Sequence, residues 1–386
     1  MGAESLPGGT GGRLIARCDV GGAAGSAMSG YALTLDGAGV IVDNRSLCCR
    51  GVAVTRPVPV GSCAVGMTWM ALLTCIATTM DLHSGSSLSA TQAEIEAPGP
   101  VGPLKGTLLS PAVGDVPVVL IVPGSGATDR NGNGPNGVQP STCRLLAEGL
   151  LGKGIASVRI DKRGMYGSAS AIPDANDVAI DDYVADIHAW VAAIRARTGA
   201  SRVWLLGHSE GGLVALLAAR QRADVAGLIL VATAGRPVGQ VLRQQLQDNP
   251  ANAPVLENAM SILASLEGGE RVDASRIHPA LMRLFAPQVQ RFLMSELTID
   301  PTVLLADCVK PVLIVQGTRD IQVGVQDAER LKQANPRAEM ALIADANHVL
   351  KTVRTSNRQE NIAAYSNPDL PLAEGVVEAV AAFVWG

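Results

Sequence analysis

The chain is expected to fold as an α/β protein, with a mostly parallel sheet flanked by helices. Three observations predict this. Runs rich in Val, Ile and Leu recur after residue 90 without polar alternation, as in Val116–Val122 and Val312–Val315. Strands of that kind are buried on both faces, as in a parallel sheet covered by helices. Segments of helical period lie between them. In Asp181–Arg197 the apolar stripe is Val184, Ile187, Val191 and Ile194, and such alternation joins parallel strands by helical crossovers. Hydrophobic residues make up 47% of the 386 and aromatic residues only 3%, so aliphatic side chains and alanine must fill the core.

In order, extended segments fall near Ala93–Glu96, Lys105–Leu109, Val116–Val122, Ser157–Ile160, Val203–Leu206, Gly227–Val231, Val312–Val315 and Glu339–Ile343. Helical patterns fall near Thr142–Leu151, Asp181–Arg197, Gly212–Arg222, Gln326–Gln333 and Ala373–Phe383. Between Arg236 and Cys308 the alternation stops, and the stretch is helical and amphipathic. Phe285, Val289, Phe292 and Leu293 recur there at helical spacing. This divides the chain into a core of residues 91–236 and 309–386 and a helical cap of residues 237–308. Phe285 and Phe292 are candidate pocket residues. The alternative is that they form the cap's own small core.

Residues 1–90 differ in composition, being rich in Gly, Ala and Ser, and they hold five of the seven cysteines: Cys18, Cys48, Cys49, Cys63 and Cys75. An odd total without a C-x-x-C pair supports neither a zinc site nor a disulfide framework. Met67–Ala77 is an apolar run of signal-peptide length, yet it lies far from Met1. Three readings stay open: an export signal after a misassigned start, a weak membrane anchor, and a low-complexity leader. Membrane contact through 67–77 and the choice between cytoplasmic and exported locations stay open with them.

The most informative stretch is Gly207-His208-Ser209-Glu210-Gly211, which reads G-x-S-x-G. An apolar run, Val203–Leu206, precedes it and a helical pattern follows. Strand, sharp turn and helix are the context in which this motif exposes a nucleophilic serine. The turn strains Ser209, so its flanks must be small, and Gly207 and Gly211 supply that. A serine needs a base, and the base an orienting acid. Of five histidines only His278 and His348 follow Ser209. His348 sits in a loop after the run Met340–Ile343, where a base belongs. His278 lies among helical segments and reads as a surface or helix-start residue. Asp320 follows the run Pro311–Val315 and is the expected acid. Its rival Asp345 stands three residues from His348, a separation that does not naturally place it behind the imidazole.

Stabilising an oxyanion requires backbone donors. One is the N–H of Glu210, next to the nucleophile. The other comes from Pro123-Gly124-Ser125-Gly126, after Val116–Val122: Ser125 N–H first, Gly126 as the alternative. The segment Pro123–Asn133 resembles the P/H-G-S-G-x-x-D-R-x-G-N loop of a group of bacterial α/β-hydrolase serine esterases. Asp161-Lys162-Arg163-Gly164-Met165-Tyr166-Gly167-Ser168 resembles that family's D-x-R-G-x-G-x-S loop, and its late G-x-x-D and N-H-V segments match Asp320 and His348. The resemblance runs from about Thr91 to the C-terminus. It implies an α/β-hydrolase fold and ester hydrolysis, with thioesterases, peptidases and acyltransferases among the relatives.

Two other patterns share the oxyanion loop. Asp129–Gly134 opens like a calcium-binding loop, but its twelfth position is Pro140 rather than a glutamate, which removes a required ligand. Gly132, Gly134 and Gly137 have dinucleotide-fingerprint spacing, but Pro135 and Pro140 interrupt the segment and it does not join strand to helix. Arg130 serves either structural pairing or the site entrance. A net charge of −4 without a basic stripe gives no electrostatic footprint for nucleic acid. The expected function is a carboxylesterase-like serine hydrolase acting on small-molecule esters, with no cofactor and no metal. The alternatives are a thioesterase or serine aminopeptidase using the same triad, more distantly a cofactor-free haloperoxidase, and an inactive hydrolase fold used for binding.

Overall fold

The computed structural model describes residues 90–112, 114–355 and 357–386. Residues 1–89, with the apolar run 67–77 and five of the cysteines, lie outside these residues. Eight strands form one sheet: β1 (Ala90–Ala97), β2 (Leu104–Pro111), β3 (Val118–Val122), β4 (Ala156–Ile160), β5 (Val203–His208), β6 (Val225–Val231), β7 (Val312–Gly317) and β8 (Glu339–Ile343). Their order is β1-β2-β4-β3-β5-β6-β7-β8. Only β2 runs against its neighbours; the pairs from β4 to β8 are parallel. All eight extended segments of the sequence become strands. The third starts at Val118 rather than Val116, because Pro117 has no N–H to give a ladder.

Strands β3 and β6 are buried on both faces, as their continuous apolar runs require, and β4 is buried as well although it carries Ser157 and Arg159. Helices α1 (Thr142–Gly152), α2 (Ile180–Thr198) and α3 (Glu210–Ala218) follow β3, β4 and β5. Leu146 and Leu150 of α1 pack on one face of the sheet. Ile187, Trp190 and Ile194 of α2 and Leu213 of α3 pack on the other. Helix α3 ends at Ala218, short of Arg222, where the chain turns with Gln221 at φ 54°.

Residues between β6 and β7 form helices α4 (Val238–Asp248), α5 (Leu256–Glu267), α6 (Met282–Phe285), α7 (Gln290–Glu296) and α8 (Pro301–Ala306). No strand occurs among them. Leu242, Leu246, Ile262, Leu266, Leu281 and Leu297 form a separate apolar cluster. Phe285 is fully buried inside it. Phe292 faces the other way and meets Tyr183 of α2 edge-on, with ring centroids 5.4 Å apart. Helices α9 (Val325–Ala334), α10 (Arg358–Ala363) and α11 (Val376–Trp385) complete the core. No described helix is long and apolar enough to cross a membrane.

Arg130 ties the antiparallel end of the sheet to the loop after β3. Its Nε donates to Asp161 Oδ2 at 2.8 Å, and its Nη1 donates to Glu94 at 2.7 Å and Thr107 at 2.9 Å. The Asp161 side chain is 3% exposed, so its charge depends on this partner. Removing one member of a buried pair leaves an uncompensated charge, so Arg130→Met is expected to lower unfolding stability by about 3 kcal/mol or more. Urea titration of the two proteins checks this, and an unchanged midpoint would contradict it.

Candidate active site

Parallel pairing of β3 with β5 brings Val122 opposite Gly207. The loops that leave these two strands therefore meet at the same end of the sheet. After β5 the chain turns at Ser209, with φ 55° and ψ −122°, and α3 begins at once. A non-glycine residue held at positive φ stores on the order of 1–3 kcal/mol. The surrounding backbone leaves no space for relaxation. A Cβ on Gly207 would lie 2.2 Å from the Gly211 carbonyl oxygen, and one on Gly211 2.4 Å from that of Val122. The glycines expected at the flanks of Ser209 are thus fixed by backbone contact.

Ser209, His348 and Ser125 line one cavity of about 100 Å³. Asp320, on the loop after β7, lies behind His348. His348 Nδ1–H donates to Asp320 Oδ2 at 2.8 Å, and the Asp320 side chain is fully buried. A carboxylate only accepts, so this bond fixes the tautomer and leaves Nε2 able to accept a proton. The remaining Asp320 lone pairs accept from Gln322 N–H at 2.8 Å, Val323 N–H at 2.9 Å and Gln316 Nε2 at 3.2 Å. Asp345 instead pairs with Arg319 near the surface and is 40% exposed. His278 is exposed and caps a short turn, its Nδ1 accepting from Ala280 N–H.

In the loop after β3 the carbonyls from Gly124 to Ala127 are all engaged. Gly124 C=O accepts from Lys162 Nζ at 2.8 Å, and Ser125 C=O from Thr128 Oγ1 at 3.0 Å. Gly126 C=O accepts from Thr128 N–H at 2.9 Å, and Ala127 C=O from Tyr166 at 2.6 Å. Among the described residues no protein acceptor takes the N–H of Ser125, Gly126 or Glu210. A Cβ on Gly124 would stand 3.2 Å from Ser209 Cβ, which sets how closely this loop approaches the serine. Asp129, first residue of the calcium-like pattern, holds the loop's own turn by accepting from Asn131 and Asn133 N–H.

Phe285 and Phe292 do not line this cavity. The expectation that they contact substrate is corrected: one lies in the insertion's own cluster and the other against α2. No described residue of 237–308 lines it at all. The walls come from Val138, Pro140, Thr142, Cys143, His208, Gln322, Val349 and Tyr365 among others. Burial pushes the Cys143 thiol up to about 12, so it stays protonated and is no rival nucleophile. Burial, helped by the neighbouring His348, pushes His208 down to about 4. Neutral His208 donates from Nε2 to the His348 carbonyl at 2.8 Å, pinning the backbone at His348. Four helices of the insertion lie away from this cavity, while α4 borders a second one of about 270 Å³ beside Asp320 and Gln322.

The profile of a family described as Serine aminopeptidase, S33 matches residues 141–352, more than half of the chain. Among solved structures, an esterase of Pyrococcus furiosus shares 18% identity at a TM-score of 0.49, covering 80% of this chain and 95% of its own. Est1E from Butyrivibrio proteoclasticus shares 18% at 0.47, covering 75% and 95%. The α/β hydrolase GrgF from a Penicillium species shares 22% at 0.46, covering 67% and 91%. No curated protein sequence matches the chain. The matched segment contains Ser209, Asp320 and His348, and it spans β4 to β8 in the sheet order described above. The chain belongs to the S33 serine aminopeptidase family of hydrolases and has the α/β-hydrolase fold.

Proposed function

We propose that this serine hydrolase cleaves short-chain carboxylic esters through an acyl-enzyme. His348 takes the proton of Ser209 as Oγ attacks the ester carbonyl. Asp320 holds the imidazole and stabilises its charged form. The N–H groups of Ser125 and Glu210 receive the oxyanion, with Gly126 N–H adjacent. The alcohol leaves with the proton from His348. Water then attacks the acyl-enzyme with His348 again as base, freeing the acid and Ser209.

The observation that carries this reading is that His348, paired with Asp320, lines the same cavity as Ser209 and as Ser125, whose N–H has no protein acceptor among the described residues. Aminopeptidase action is the second reading, favoured by the family description. It requires a partner for the substrate's ammonium group, since burying an unpaired charge is costly. No Asp or Glu is among the described residues lining the cavity, which supports an uncharged ester over an aminoacyl group. A thioester would use the same groups.

Labelling with a fluorophosphonate followed by peptide mapping tests the reading. The label is expected on Ser209. Ser209→Ala is expected to lose the label and about 10⁴-fold or more in kcat while keeping its fold. A folded variant with near-normal turnover would end this assignment. Asp320→Asn is expected to lower kcat far more than Asp345→Asn, because only Asp320 reaches His348; the opposite ranking would name the other carboxylate. With p-nitrophenyl esters, kcat/KM is expected to rise by roughly fourfold per methylene, at about 0.8 kcal/mol each, until the small cavity is full near about six acyl carbons, and then to fall. A continued rise to twelve carbons would indicate a long acyl groove.

A further inference from the structure

We propose that Lys162 is a positioning residue for the oxyanion hole, tying the loop after β3 to the start of α3. The inference rests on the functional reading above and deepens it. Lys162 lies on the loop after β4, inside the D-K-R-G segment. Its Nζ donates to the Gly124 carbonyl at 2.8 Å and stands 3.5 Å from Glu210 Oε1. It also lies 5.3 Å from the centre of the Tyr183 ring on α2. The two charged side chains are 6% and 8% exposed, so the ammonium and its partners meet out of water.

The geometry gives this contact a direct effect on the reacting centre. Gly124 C=O and Ser125 N–H belong to one planar trans peptide unit and point in opposite directions. Holding the carbonyl on Lys162 therefore aims the Ser125 N–H. Glycine at position 124 leaves the backbone there free to rotate, and among the described residues Lys162 is the donor that holds this carbonyl. The same ammonium holds the Glu210 side chain, and Glu210 N–H is the other oxyanion donor. One charge thus fixes the relative placement of two N–H groups on different elements. A cation on the carbonyl also polarises the peptide and strengthens its N–H as a donor.

The insertion reaches the same point from α7. Glu296 is buried, and its Oε2 has no hydrogen-bond partner among the described residues. Burial raises its carboxyl well above the usual range, and the Glu210 charge raises it further. Burial raises the Glu210 carboxyl too, against the lowering pull of the Lys162 ammonium.

The test compares Lys162→Met with the double variant Lys162→Met/Glu210→Gln. The readouts are the rate of fluorophosphonate labelling, kcat, KM and melting temperature. In Lys162→Met, kcat and the labelling rate are expected to fall about 10–100-fold with KM little changed, somewhat less than the loss of an entire oxyanion donor. The melting temperature is expected to fall as well, because Glu210 is left unpaired. The double variant removes that charge and is expected to regain melting temperature without regaining kcat. If kcat returns together with melting temperature, Lys162 only neutralises Glu210 and the positioning role is overturned. Wild-type kinetics in Lys162→Met overturn it too. Should the single variant not fold, the double variant decides by the same criterion. Wild-type protein that takes no label at Ser209 would instead overturn the functional reading, and this inference with it.

Discussion

The site depends on a backbone approach that only glycine permits. Gly207 and Gly211 bring the end of β5, the start of α3 and the carbonyl of Val122 to van der Waals limits. Adding one methyl group at either position would push the helix off the sheet. Because β3 and β5 are neighbours in register, the same approach sets the loop Gly124–Ala127 beside Ser209. The positive φ of Ser209 is the strain that accompanies this packing. The fully apolar strands around it oppose relaxation, since any shift of α3 would open a gap in a close-packed core.

Onto that backbone the structure sets two chains of polar contact. One runs from Gln316 and the loop amides through Asp320 to His348, and returns through the His348 carbonyl to His208. It fixes His348 by its ring and by its backbone. The other runs from Gly124 through Lys162 to Glu210. It fixes the donors. Both are buried, where an unpaired member is costly, so each keeps its geometry only while every partner is in place. The helical insertion brings the buried Glu296 within electrostatic reach of Lys162 and Glu210, and among the described residues it walls no part of the cavity at Ser209.

Much of this is legible in the sequence. Strands buried on both faces announce themselves as unbroken apolar runs, and β3 and β6 lie where such runs fall. The sharp turn at Ser209 and the pairing of Asp320 with His348 are legible because each residue follows a strand in a fixed order along the chain. Phe285 and Phe292 mislead for a definite reason. Helical period shows that a face is apolar, but not whether it meets a ligand, its own insertion or a neighbouring helix. Lys162 stands inside a recognisable motif, yet lysine is usually solvated and nothing local shows that its ammonium reaches Gly124 across 38 residues. Gln322 and Tyr365 are hidden for the same reason: they meet through a bond between side chains 43 residues apart.

In the proposed mechanism, attack by Ser209, with the amides of Ser125 and Glu210 receiving the developing charge, is the step on which everything else turns. A crystal structure with a short-chain alkyl trifluoromethyl ketone probes it without intermediaries, because the hemiketal mimics the tetrahedral intermediate. The expected adduct has a bond from Ser209 Oγ to the ketone carbon, with the oxyanion roughly 2.7–3.1 Å from both N–H groups and the alkyl chain in the cavity lined by Val138 and Val349. An adduct whose oxygen points away from these amides, or an inhibitor bound to another residue, would refute that step.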